Sequence, residues 1–126
     1  MTDAGLRLEQ LARGPCGRQT KAPLIPGGHH AFSTDPALIA AWQAKFPGAL
    51  WGLRCGEAFD VLDLDGAAGL AWLRDHEQQL PATRMQTTPH GKHFYFLPEG
   101  RLRRSIGKIA PGVDVLPSGQ VIAWWL

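Results

Sequence analysis

An α+β fold, with an antiparallel or mixed sheet and helices packed on one face, is what this sequence predicts. Three observations carry that expectation. The periodicity of apolar residues runs helix, strand, strand, helix and then mainly strands, the order of a layered α+β domain. Residues 59–65 (FDVLDLD) alternate, so that Val61, Asp63 and Asp65 face one way and Asp60, Leu62 and Leu64 the other. And 126 residues, of which 44% are hydrophobic and 19% charged, suffice for one domain with a real core and do not suit a disordered chain.

Each element has a local reason. Leu6, Leu8 and Leu11 suit a short helix that Gly14, Pro15 and Gly17 would end. Residues 21–28 (KAPLIPGG) read as a loop. Asp35 is placed to cap a helix with Pro36 at its first position; Ile39, Trp42 and Phe46 then form an apolar stripe, and Pro47-Gly48 stops it. Residues 49–54 suit a strand. A second helix is expected over 67–79, with Leu70, Leu73 and Glu77 on one side, Trp72 and His76 beside them, and Pro81 as its stop. Strands follow over 83–88, over the aromatic 93–97 (HFYFL), over 112–116 and over 120–126, the last two separated by Pro117-Ser118-Gly119. No repeat or low-complexity stretch interrupts this order, so a single domain over residues 1–126 is expected. The apolar end, Trp124-Trp125-Leu126, has no polar tail. It is expected to mark a shortened chain or to dock on a partner copy.

Composition bounds the function. A net charge of +2 does not by itself argue for nucleic-acid binding. Basic residues do gather as Arg101, Arg103, Arg104 and Lys108 ahead of Asp114, with Lys92 beside His93. No apolar run nears the roughly 18 residues a membrane span needs. The start, Met-Thr-Asp-Ala-Gly, has no apolar segment of a secretion signal, so a cytoplasmic location is expected. Cys16 and Cys55 lack metal-ligand spacing and are expected to be reduced packing residues.

Chemistry concentrates at four positions. Asp63 and Asp65, two apart on a strand, present carboxylates on one face, where they repel unless a cation neutralises them. Mg²⁺ accepts one or two carboxylates together with substrate phosphates, which suits such a pair. Turn chemistry alone would account for Asp65-Gly66, but not for Asp63. His93 enters the aromatic strand after Gly91 and shares a face with Tyr95 and Leu97, away from Phe94 and Phe96. Taken singly it reads as a hydrogen-bonded, half-buried histidine. Asp114 sits between Val113 and Val115, facing opposite to both, so it needs a partner or overlooks a site.

Taken in order, these words resemble the bifunctional primase-polymerase (prim-pol) domain of phages, plasmids and prophages, in the archaeo-eukaryotic primase superfamily. Residues 61–66 (VLDLDG) are similar to its first motif, residues 88–95 (TPHGKHFY) to its second and residues 111–115 (PGVDV) to its third. Lys21-Ala22-Pro23, the cap at residues 33–36 and residues 52–56 resemble the entry segment, so the likeness spans about residues 21–123. It implies an RRM-like sheet carrying a carboxylate triad, Asp63, Asp65 and Asp114, that holds a pair of Mg²⁺ or Mn²⁺ ions. It implies that His93 contacts the triphosphate of an incoming nucleotide, with Lys92, Arg103, Arg104 and Lys108 as candidates for phosphate or template contacts. The partners implied are nucleoside triphosphates, a single-stranded DNA template and, on a separate chain, a helicase. The reaction implied is metal-dependent nucleotidyl transfer.

The chain departs from the pattern at both ends. The lead-in is abbreviated and interrupted by Gly14-Pro15-Cys16-Gly17, and little follows residue 123. That supports a second reading, a catalytically inactive relative that binds nucleotide or single-stranded nucleic acid. A third, a metal-dependent phosphodiesterase, lacks a second His or Lys base near the acid pair.

Overall fold

The structure, a computed structural model, describes residues 7–56, 58–80, 84–96, 107–116 and 119–126; for Arg84, Gly107 and Lys108 it describes the backbone only. The expected segments at Leu6, Thr83 and Leu97, and the basic residues Arg101, Arg103 and Arg104, lie outside these. Chain contacts divide the molecule into two compact units, one of Leu6–Arg54 with Gly119–Leu126, the other built on Cys55–Ser118. Every strand pairing is antiparallel, and the class is α+β as the sequence implies. Among the described residues no helix is long and apolar enough to cross a membrane.

In the first unit β1 (Arg13–Cys16), β2 (Leu50–Arg54) and β8 (Gln120–Ile122) form a sheet in the order β1-β2-β8. Helix α1 (Pro36–Lys45) lies against β1. It begins as its sequence dictates: the Asp35 carboxylate accepts from the Ala37 N–H at 3.0 Å, with proline at the first turn. Its buried residues are Ile39 and Trp42. The core of this sheet is Cys16, Phe32, Leu50 and Ile122, with Trp124 packed at its edge.

Three expectations fail here. The stretch expected to break a helix is the strand β1, and only Leu8–Gln10 above it is helical, as a 3-10 turn. Pro15 lacks an N–H, but its carbonyl still accepts from Leu24 N–H at 2.9 Å, so proline is accommodated in this outer strand. And the last strand stops at Ile122: Ala123 is buried, and Trp124-Trp125 turn, with the Leu126 N–H on the Ala123 carbonyl at 3.3 Å.

The second unit is a five-stranded sheet in the order β4-β5-β3-β7-β6, from β3 (Asp60–Asp65), β4 (Arg84–Thr87), β5 (Gly91–Phe96), β6 (Gly107–Ala110) and β7 (Val113–Leu116). Helix α2 (Gly66–His76) covers one face, continued by a 3-10 turn over Glu77–Gln79. Between helix and sheet, Leu73 of the helix packs with Leu62, Leu64, Phe96, Val113 and Val115, the strand residues that alternation assigns to one side. Leu73 is buried, whereas Leu70, expected beside it, is exposed. Trp72 and His76 stack with ring centres 4.3 Å apart. Strand β6 is one the sequence did not announce; a register irregularity between Lys108 and Ala110 breaks its short run.

Both cysteines are free and buried, as expected. Burial pushes the Cys16 thiol up to about 11, and pushes the Cys55 thiol, with help from the nearby Asp60 charge, up to about 12. The folded state therefore keeps both protons to higher pH than the unfolded chain. Their contribution to stability is complete below about pH 8.5 and is lost as pH rises toward the folded values. At neutral pH a disulfide reagent such as Ellman's is expected to find neither thiol until guanidinium unfolds the chain; fast labelling of the native protein would contradict this burial.

Candidate active site on the five-stranded sheet

Strand β3 is the middle of its sheet, and its pairings decide what meets. Asp63 is the register partner of His93 on β5 and of Asp114 on β7. One strand further out on each side, Gln86 of β4 pairs with His93, and Lys108 of β6 pairs with Asp114. Directly paired residues of antiparallel strands project to the same face. Gln86, His93, Asp63 and Asp114 therefore form one row across four strands, on the face opposite α2. Residues 63, 93 and 114, at least 21 positions apart in sequence, are thus brought side by side by pairing alone, with Gln86 beyond His93.

The row stands on a gradient of burial along β3. Val61 is fully buried, the Asp63 side chain is 17% exposed, and Asp65 lies open to solvent. Tyr95, the register partner of Val61, is also buried and meets Phe59 edge to face with centroids 5.2 Å apart. The acids sit where the sheet surface passes from packed to open.

Polar contacts order the row. His93 Nε2 stands 3.2 Å from Asp63 Oδ1, an ion-pair distance. The approach is not aligned as a hydrogen bond: Oδ1 is buried and makes none among the described residues. On the other side of the ring, Gln86 Nε2 lies 2.9 Å from His93 Nδ1, and donates to the Tyr95 hydroxyl at 2.6 Å. Asp65 occupies the cap position of α2, yet its side chain does not cap the helix. Turn chemistry therefore leaves its carboxylate unused. Among the described residues no group of three or more His, Cys, Asp or Glu stands close enough to enclose a metal ion.

Two close approaches fix the register. The backbone of Gly91 passes so near Leu64 that an added Cβ would lie 1.7 Å from its carbonyl oxygen. Gly112 turns the chain at φ +75°, and its carbonyl accepts from Asp65 N–H at 2.8 Å. The end of β3 is thereby tied to both neighbours.

Of the residues singled out by sequence, Asp63, His93 and Asp114 come together, and Asp65 follows one step along the same face. Lys92 does not join them. Its register partner is Leu64, so it leaves β5 on the face opposite to His93. Lys108 is set opposite Asp114 by its backbone, and Arg104 lies outside the described residues. Sequence reasoning missed Gln86. A glutamine on a strand carries no signal of its own, and only the pairing of β4 with β5 shows that it lies behind the histidine.

A family model, Prim-Pol (bifunctional DNA primase/polymerase, N-terminal), matches residues 7–124. The chain belongs to this family. The Prim-Pol match begins well before residue 21 and runs through β1, so the stretch around Gly14-Pro15-Cys16-Gly17 lies inside the matched region. Prim-Pol membership carries a DNA primase/polymerase-type function, and in general terms the binding of nucleotide and DNA template. Neither the curated proteins nor the solved structures yield a significant match to this Prim-Pol chain.

Proposed function

We propose that this Prim-Pol domain is a metal-dependent nucleotidyltransferase whose site is the row centred on Asp63. The observation that carries the proposal is the double pairing of Asp63 with His93 and with Asp114. The donor set fits Mg²⁺ or Mn²⁺: hard carboxylate oxygens, one of them, Asp63 Oδ1, buried and without a hydrogen bond among the described residues. Asp63 and Asp114 would hold the ions with Asp65 beside them, and remaining ligands would come from water and substrate phosphates, as is usual for Mg²⁺. Bound there, divalent ions supply charge neutralisation at the triphosphate and activation of the attacking oxygen.

The chain's own residues orient and stabilise. His93, its Nε2 turned toward the acids, donates to a phosphate oxygen of the incoming nucleotide. The acids stand at the rim, where a primer 3′-hydroxyl and an α-phosphate can meet; the hydroxyl loses its proton to water, its oxygen bonds to the α-phosphorus, and the bond from that phosphorus to the bridging oxygen breaks as pyrophosphate leaves. No side chain becomes covalently attached, so catalysis rests on position and charge. The template is a single-stranded DNA, and replication of a phage, plasmid or prophage, with a helicase on another chain, is the setting such an activity serves.

Primer extension on a single-stranded template with Mn²⁺ and labelled dNTP tests the reading, alongside equilibrium binding of dNTP with and without Mn²⁺. Incorporation is the expected result. The exposure of Asp65 and the lack of a closed ligand group among the described residues favour one second reading, a relative that binds nucleotide without catalysis. It would show Mn²⁺-dependent dNTP binding and no incorporation. Absence of both would remove the site.

A further inference from the structure

We infer that Gln86 is a positioning residue that fixes His93 as its Nε2–H tautomer. The inference deepens the proposed reading of the site and rests on it for the role of Nε2. A neutral imidazole carries one proton, and the partner of one nitrogen decides where it sits. Gln86 is buried, and its amide nitrogen faces both His93 Nδ1, at 2.9 Å, and the Tyr95 hydroxyl, at 2.6 Å. An amide nitrogen has two hydrogens and no lone pair to offer, so it satisfies these neighbours by donating to each. Nδ1 is then an acceptor, and the ring proton is left on Nε2, the nitrogen 3.2 Å from Asp63. That is the side on which a phosphate oxygen needs a donor.

The support is itself supported. Tyr95 is fully buried and held edge-on by Phe59, so its hydroxyl gives the amide a fixed second anchor. The row is therefore a chain of dependence, from Phe59 to Tyr95 to Gln86 to His93, of the kind that orients histidines at metal and phosphate sites. Turning the amide over would place its oxygen against Nδ1 and require the opposite tautomer, so a tautomer measurement decides directly.

Protein with isotope-labelled histidine, read by long-range nitrogen–proton correlation at alkaline pH with His93→Gln to assign the signal, should show His93 protonated at Nε2. In Gln86→Glu, read at the same alkaline pH, the ionised carboxylate can only accept, so the ring proton should move to Nδ1, and Mn²⁺-dependent dNTP affinity should fall about tenfold, the worth of one charge-assisted hydrogen bond. Should Gln86→Glu fail to fold, the uncharged Gln86→Met serves: the Nδ1 resonance should shift to that of a ring nitrogen accepting no hydrogen bond. A parent protein protonated at Nδ1, or variants that leave the His93 signals where they were, would overturn the inference. A tautomer that moves while dNTP affinity stays the same would uphold the positioning role and count against the triphosphate contact.

Discussion

Asp63→Asn is expected to lower primer extension by at least about a hundredfold, the scale of losing one preorganised electrostatic contact. The same change is expected to leave the melting temperature unchanged or raised. Both halves follow from its place in the row. Asp63 alone is the register partner of both His93 and Asp114, so every proposed contact to metal and triphosphate passes beside it. It is also a costly choice for the fold: among the described residues its Oδ1 is buried with no hydrogen bond, only the His93 ring at 3.2 Å, and a second carboxylate is paired directly across from it. Like charges so placed repel, and an amide of the same shape removes that repulsion. Asp75→Asn, on the exposed side of α2, is the control and should change neither quantity. Wild-type rates in the Asp63 variant would refute the site; a large loss of stability would instead make Asp63 a structural residue.

The second large effect is on folding. A methyl group added at Gly91 would sit 1.7 Å from the Leu64 carbonyl oxygen, far inside contact distance and against backbone that cannot swing aside. Strands β3 and β5 must part at the Asp65–Gly91 pair to admit it. Gly91→Ala is therefore expected to cost about 3 kcal/mol or more, a large share of the roughly 5–15 kcal/mol that holds a typical domain together. Urea denaturation followed by tryptophan fluorescence would read this as a lowered midpoint, with primer extension falling as the Asp63–His93 pairing opens. A midpoint equal to that of the parent would show that the close approach is not rigid.

How much of this was legible beforehand depends on whether the signal was local. The alternation of residues 59–65 is local, and it assigned Asp63 and Leu64 to their faces correctly. So is the Asp35-Pro36 start of α1. That Val113 and Val115 bury themselves and turn Asp114 away from α2 also follows from period two. What could not be read is register, which belongs to two strands at once: nothing within 83–97 says that Gln86 backs His93, or that Lys92 is turned away. Strand β1 was hidden because proline and glycine count against strands in any local scale, and pairing on β2 overrides that count. Strand β6, Gly107–Ala110, has Ile109 as its one large apolar residue, so alternation has nothing to register. The final strand was drawn too long because an apolar sequence looks the same whether it continues a ladder or folds back, as Trp124 does, against the Cys16 cluster.

The row of residues spanning the sheet has a consequence for how the protein acquires its activity. Asp63, His93 and Asp114 belong to strands that meet only when the interior of the sheet is assembled, and sliding any one of them by a single position would turn its polar group into the oily layer under α2. The site proposed for the triphosphate is therefore complete only when both inner ladders are formed. A nucleotide bound there, as proposed, would report completed assembly and, by mass action, stabilise that end state.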